Sequence, residues 1–220
     1  MNRGIVGIEV APGAVAEAPG SGVRFGTGQG GPVAVRLFRI TGTRIVVASR
    51  VLPAQLLTVR ATAAGVPVQV VTSRVQLWEP LLRGIAGCRV LPDAGGLQPT
   101  GGPGLIVDDR PGEGRTPIEI RPWQCRIDVR TQWSPAELSG FARYDLAVFG
   151  AVAPEAVRPV TAAFGLPRGT AEPMTRLDSA SFALLRRAHI DCVSLDPTAA
   201  EAQVLERARG FGSASARVVT

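Results

Sequence analysis

The sequence predicts a single α/β domain with a three-layer, Rossmann-like arrangement: a mostly parallel sheet with helices on both faces. Three observations carry this prediction. The stretch from Arg44 to Ser73 reads as strand, helix, strand, with apolar runs at Ile45–Ala48 and Val66–Val71 flanking a helix from about Pro53 to Ala64. Pro53 suits a first helical position, where its missing N–H is not needed, and Gly65 suits the position just past the end. The same alternation of short apolar runs with helical stretches continues through the second half. Two apolar strands joined by one helix form a crossover unit, which is nearly always parallel and right-handed.

Taken in order, residues 1–22 are rich in Ala, Gly and Pro and read as a flexible tail, with Ile5–Val10 able to add one short strand. The domain is expected over 23–210 and a frayed tail over 211–220. From Pro32 the alternation VAVRLF suggests a half-buried strand, and the Thr41-Gly42-Thr43 turn would join it to the crossover unit as a hairpin. Val75, Trp78, Leu82 and Ile85 then form a helical stripe, with Pro80 imposing a kink or a late start. Cys88–Leu91 and Leu105–Val107 read as short strands, and Asp109–Thr116 as a turn. Cys125–Arg130 alternates like a strand. Ser134 to Glu137 matches a capping box, with Pro135 opening a helix to about Arg143. Asp145–Val148 reads as a buried strand, followed by a Pro-interrupted helix near Pro154–Phe164. Ser181–Leu185 and Ile190–Leu195 make a closing, antiparallel pair. Asp196-Pro197 is expected to cap a last helix to about Arg209.

Composition narrows the function classes. At 220 residues the chain can bury a sizeable core. All 24 basic residues are Arg, Asn2 is the sole Asn, and Ala, Gly, Val and Pro abound, a pattern of GC-rich codon usage. The net charge is +6, yet only Arg186 and Arg187 are adjacent, which predicts a diffuse solvated surface and no nucleic-acid partner. Cys88, Cys125 and Cys192 are odd in number, widely spaced and without CxxC, which fits reduced, buried thiols in a cytoplasmic protein. No run approaches the roughly 18 apolar residues of a membrane span, and the N-terminus lacks the apolar core of a signal peptide.

Several stretches invite a chemical reading. Gly26 to Gly31 spells GxGxxG, but Pro32 and a strand-like run follow where the dinucleotide fingerprint needs a helix. Without Lys, no ordinary phosphate loop GxxxxGK[ST] can exist. Ser49 and Arg50 lie in the turn from a strand's carboxyl end into a helix N-terminus, where they could meet an anion. Asp108 and Asp109 end an apolar strand, a placement that could support a divalent metal beside a nucleotide or equally close a strand in a polar turn. His189 is the sole His, so no multi-histidine metal site is available, and it reads as a turn residue. Trp123 and Trp133 flank a strand carrying Arg126 and Arg130, for which core or edge packing is expected. Arg60 falls on the apolar side of its helix. It either snorkels along apolar surface or pairs with a buried carboxylate, and both roles are structural. No catalytic residues are assigned.

Three tracts together resemble the soluble part of the EccE family, a component of actinobacterial type VII (ESX) secretion systems. They are PVAVRLFRITGTRIVVASRVLPAQLLTVRATAAGVPVQVVTS, LIVDDRPGEGRTPIEIRPWQCRIDVRTQWSPAEL and YDLAVFG, and within the first, Arg60 to Gly65 looks like the family's R-A-x-A-x-G helix end. The resemblance implies a non-catalytic accessory subunit that acts through protein–protein contacts with membrane-core components of the secretion system, needs no cofactor, and sits in the cytoplasm or at the inner face of the membrane through its partners. It departs from better-known members in lacking their N-terminal transmembrane helices. The alternative expectation is an enzyme or sensor binding a nucleotide or nucleotide sugar with a divalent metal, using Ser49 and Arg50 for the anion and Asp108 and Asp109 for the metal.

Overall fold

In a computed structural model that describes residues 22–111 and 118–215, the chain forms one mixed sheet of ten strands with helices. The elements, in chain order, begin with the hairpin β1 (Val23–Gly28) and β2 (Gly31–Val35). The crossover unit follows as β3 (Thr43–Ala48), α1 (Leu52–Ala63) and β4 (Val68–Val71). Next come α2 (Glu79–Leu82), β5 (Arg89–Leu91), β6 (Gly104–Asp108), β7 (Gln124–Val129), α3 (Leu138–Phe141) and β8 (Leu146–Phe149). The chain closes with α4 (Pro154–Phe164), β9 (Ser181–Arg186), β10 (His189–Ser194) and α5 (Ala199–Ser215). The expected strand at Ile5–Val10, nearly all of the 1–22 tail, residues 216–220 and most of the DRPGEGRT turn lie outside the described residues.

The strand order is β2-β1-β10-β9-β8-β3-β7-β6-β4-β5. The run from β8 to β5 is parallel throughout. The four strands from β2 to β9 extend it antiparallel. β2 pairs with β1 and β3 with β7 and β8, so the turn at Gly42 is not the expected hairpin. It is a change of place within the sheet. Gly42 has φ +75°, and a Cβ there would stand 2.7 Å from the Ile120 side chain, so only glycine fits where the two loops meet.

Alternation along β3 divides the core. Ile45 and Val47 enter one apolar cluster with Leu56, Leu57 and Ala61 of α1, Leu81 of α2 and Leu205 of α5. Val46 and Ala48 enter another with Leu138 of α3 and Val160 and Phe164 of α4. Each fully buried Val, Leu, Ile or Phe side chain of these clusters contributes about 1.5–3 kcal/mol. The direction of travel accounts for the division. Right-handed crossovers that run toward β5 along the sheet must use one face, and those that return toward β8 the other. β3 feeds α1 toward β4, while β7 feeds α3 back across β3 to β8.

Local expectations meet the structure unevenly. The stripe from Val75 to Ile85 splits into a 3₁₀ turn and a four-residue α2, leaving Val75 and Ile85 exposed while Trp78 is fully buried. The Ser134–Glu137 capping box is present, but it opens a 3₁₀ turn before the short α3. α4 runs through Pro159 without interruption and ends at Gly165 in the left-handed conformation. The cap of α5 comes from Thr198, which exchanges hydrogen bonds with Glu201, and not from Asp196-Pro197. α5 continues to Ser215, past the expected end at Arg209. Cys125 is buried, Cys88 and Cys192 are half-buried, and all three are free thiols. No helix among the described residues is long and apolar enough to cross a membrane.

Candidate functional site

The carboxyl ends of the parallel strands gather the residues with chemical potential. In open α/β sheets ligands favour this edge, above all where adjacent strands send their connections to opposite faces. β3 and β7 are such a pair. Two cavities open beside the loop that follows β7. One, of about 350 Å³, is lined by Arg74, Asp109, Arg110, Arg130 and Glu137. The other, of about 400 Å³, is lined by Ser49, Arg50, Gly150, Asp178 and Phe182. Thr131 and Trp133 belong to both walls. The turn at Ser49–Arg50 and the acid at Asp109 therefore share one edge of the sheet but occupy neighbouring cavities. Asp108 lines neither.

The acidic strand end is built for arginine. Asp109, 2% exposed, accepts hydrogen bonds from Thr72 Oγ1 at 3.0 Å, Arg74 Nε at 3.1 Å and Trp78 Nε1 at 2.7 Å, and a further one from Arg74 Nη2. Asp108, 3% exposed, receives Arg110 Nε at 2.9 Å and Nη2 at 2.7 Å. The hydrogen bond to Asp108 holds the Arg110 guanidinium above its ordinary pKa against the opposing cost of burial. A cation at this position would have to displace a guanidinium from each carboxylate. Among the described residues no group of three or more His, Cys, Asp or Glu could hold a metal ion. The expected metal role of Asp108 and Asp109 thus meets occupied oxygens, and the two residues act as anchors for Arg110 and Arg74.

The Ser49–Arg50 turn is also occupied locally. Ser49 Oγ donates to the Arg50 carbonyl at 3.1 Å, and the Arg50 guanidinium lies 5.3 Å from the centroid of the Phe182 ring. Asp178 faces the same cavity, its carboxyl held below the ordinary range chiefly by the Ala180 backbone N–H.

Beneath the edge runs a buried polar line. Asp108 and Asp128 are register partners on β6 and β7. Asp128 receives Arg126 Nε at 3.1 Å, Arg126 Nη2 at 2.8 Å and the Tyr144 hydroxyl, while Arg126 Nη1 donates to the Ile118 carbonyl. Burial, and then Asp128, push the Tyr144 phenol up to about 12. Arg126 thus faces inward. Trp123 precedes β7 and is exposed, while Trp133 follows it and packs against Phe141 and Phe149, so the two rings stand at opposite ends of a buried strand.

Arg60 pairs with a carboxylate, one of the two roles expected for it, and the partner is Glu201 of α5. His189 follows the β9–β10 hairpin turn, 2.9 Å from Asp191, exposed and remote from the carboxyl edge. Arg74, Trp78, Asp128 and Tyr144 were not legible as site residues. The polar triplet Thr72-Ser73-Arg74 ends an apolar strand just as Asp108-Asp109-Arg110 does, and that parallel was the available signal.

Comparison with protein families, with curated proteins and with solved structures returns no match.

Proposed function

We propose that the protein is an EccE-like, non-catalytic accessory component of a type VII secretion system, acting through protein–protein contacts with the membrane-core components. It would sit in the cytoplasm, held at the inner face of the membrane by those partners. The observation that carries the reading is the place of the three EccE-like tracts: besides β2 at the far edge, they supply β3, β4, β6, β7 and β8, which are consecutive neighbours in the sheet. The engagement of Asp108 and Asp109 by Arg110 and Arg74 supports a scaffold role for the strand end that most invites catalysis. We also read the layering as three-layer and Rossmann-like, supported by the two apolar clusters that alternate residues of β3 enter. The test is affinity capture of the tagged chain from cells encoding an ESX locus. Recovery of secretion-core components is expected, and their absence from the captured material overturns the reading.

A second reading, a nucleotide- or nucleotide-sugar-binding domain, is favoured by one observation. Ser49–Arg50 and Asp109 open onto adjoining cavities with a common wall at the carboxyl edge. Calorimetry with nucleotides, with and without Mg²⁺, tests it, and heats equal to dilution remove it.

A further inference from the structure

The second reading treats the acidic strand end as a metal support. The hydrogen bonds there assign the parts differently. We propose that the two cavities beside the β7 loop form one bipartite, metal-independent site for a phosphate ester carrying a planar ring, a nucleoside phosphate in its simplest form. The proposal rests on the nucleotide reading and replaces its metal with arginine.

The phosphate half is the cavity of Arg74, Arg110 and Arg130. Arg74 presents its Nε–Nη2 edge to Asp109, and its Nη1 makes no hydrogen bond among the described residues. Its side chain is one-third exposed at the cavity wall, whereas Asp109 is sealed beneath it. Arg110 is held by the same edge of its guanidinium on Asp108. A buried carboxylate that fixes each fork in advance removes part of the ordering cost a phosphate would otherwise impose. The planar fork also suits phosphate oxygens better than a point charge does. Three guanidiniums line this cavity with the carboxylates of Asp109 and Glu137, and the Nη1 of Arg74, which Asp109 leaves open, is the donor that a phosphate oxygen would meet.

The ring half lies across Trp133. This side chain belongs to both walls, and it is held edge-on by Phe149 at 5.3 Å and Phe141 at 6.3 Å, so it offers a rigid aromatic surface. The second cavity that Trp133 lines has the small residues Ser49, Gly150, Ala151 and Ser179 in its wall beside Leu177 and Phe182, and a flat group would lie among them. The two cavities, about 350 and 400 Å³, are each of the size that small-molecule sites occupy.

The test titrates the whole chain with ADP and with inorganic phosphate, both in EDTA, by calorimetry and tryptophan fluorescence. ADP is expected to bind without metal, at least about fivefold tighter than phosphate because its base stacks. Trp133 lines both cavities and Trp123 stands at the other end of β7, so most of the fluorescence change should be lost in Trp133→Phe and kept in Trp123→Phe, with any remainder coming from Trp78, whose indole N–H is bonded to Asp109. Arg74→Gln should weaken ADP at least about tenfold. Because that change orphans Asp109, Arg74→Lys, which keeps a cation beside it, is measured in parallel and should also weaken binding. Heats equal to dilution for ADP, with or without Mg²⁺, overturn both this proposal and the nucleotide reading. Binding that requires Mg²⁺ and is unaffected by Arg74→Lys overturns this proposal and leaves the nucleotide reading standing. Phosphate binding as tight as ADP overturns the planar ring.

Discussion

Arg60 on α1 grips Glu201 on α5 with two parallel hydrogen bonds, Nε to Oε1 at 2.8 Å and Nη2 to Oε2 at 2.9 Å. Its Nη1 donates to the Arg24 carbonyl on β1 at 2.6 Å, and Nη2 also reaches the Asp196 carbonyl at 3.0 Å. One guanidinium thus ties the antiparallel extension and the closing helix to the crossover helix.

Removing either partner should cost far more than the pair contributes as a unit. Arg60→Ala should destabilise the fold by about 3 kcal/mol, since it leaves a largely buried carboxylate unpaired. Arg60→Met combined with Glu201→Met should recover most of that loss. Urea unfolding checks both, and a double variant as unstable as the single one contradicts the account.

Acid should weaken the same junction. The hydrogen bond from Arg60 holds the Glu201 carboxyl below its ordinary range. At Asp196, burial pulls the other way but is outweighed by hydrogen bonds from Arg24 and Thr27, so its carboxyl is lowered too. Both folded values lie below the unfolded ones. Their stabilisation is therefore complete above roughly pH 4–4.5 and is lost as pH falls through the folded values. Urea midpoints measured from neutral pH downward should drop in this window, with a shallower drop in Glu201→Gln.

Asp109→Asn should behave as a stability variant. The amide cannot accept as the carboxylate does from Arg74, Thr72 and Trp78 Nε1, and a loss of about 2–4 kcal/mol is expected. Thermal unfolding followed by fluorescence measures it. A variant as stable as the parent, but deficient in Mg²⁺ binding, would return the residue to a metal role.

Tyr144 offers a direct optical test because it is the only tyrosine. Its phenol is pushed up to about 12, so phenolate absorbance in the folded protein should rise well above the ordinary value near pH 10. A folded value above the unfolded one means the contribution to stability is full below about pH 10 and is lost as pH climbs through the folded value. Asp128→Asn should bring the titration down. Titration at the ordinary value in the native protein would contradict the Tyr144–Asp128 contact.

Elements whose signals are local were legible from the residues. Pro53 and Gly65 bracket α1 to within two residues, and the apolar runs at β3, β7 and β8 fall where they were expected. Caps were harder. Asp196 has cap chemistry, but Arg24 and Thr27 claim its carboxylate, and Thr198 caps α5 instead. Propensity names the residues able to cap, and competition among partners decides which one does.

By itself, the sequence determined the alternation of strands and helices, the crossover at 44–73 and the structural character of Arg60, because local periodicity and backbone preference encode all three. Only the tertiary structure decided that β4 and β6 lie side by side, bringing Thr72, Arg74 and Trp78 onto Asp109, and that β7 separates the Ser49–Arg50 turn from that cluster. The physical reason is that strand neighbours are chosen by crossover direction and by burial on both faces, which no short stretch of chain records.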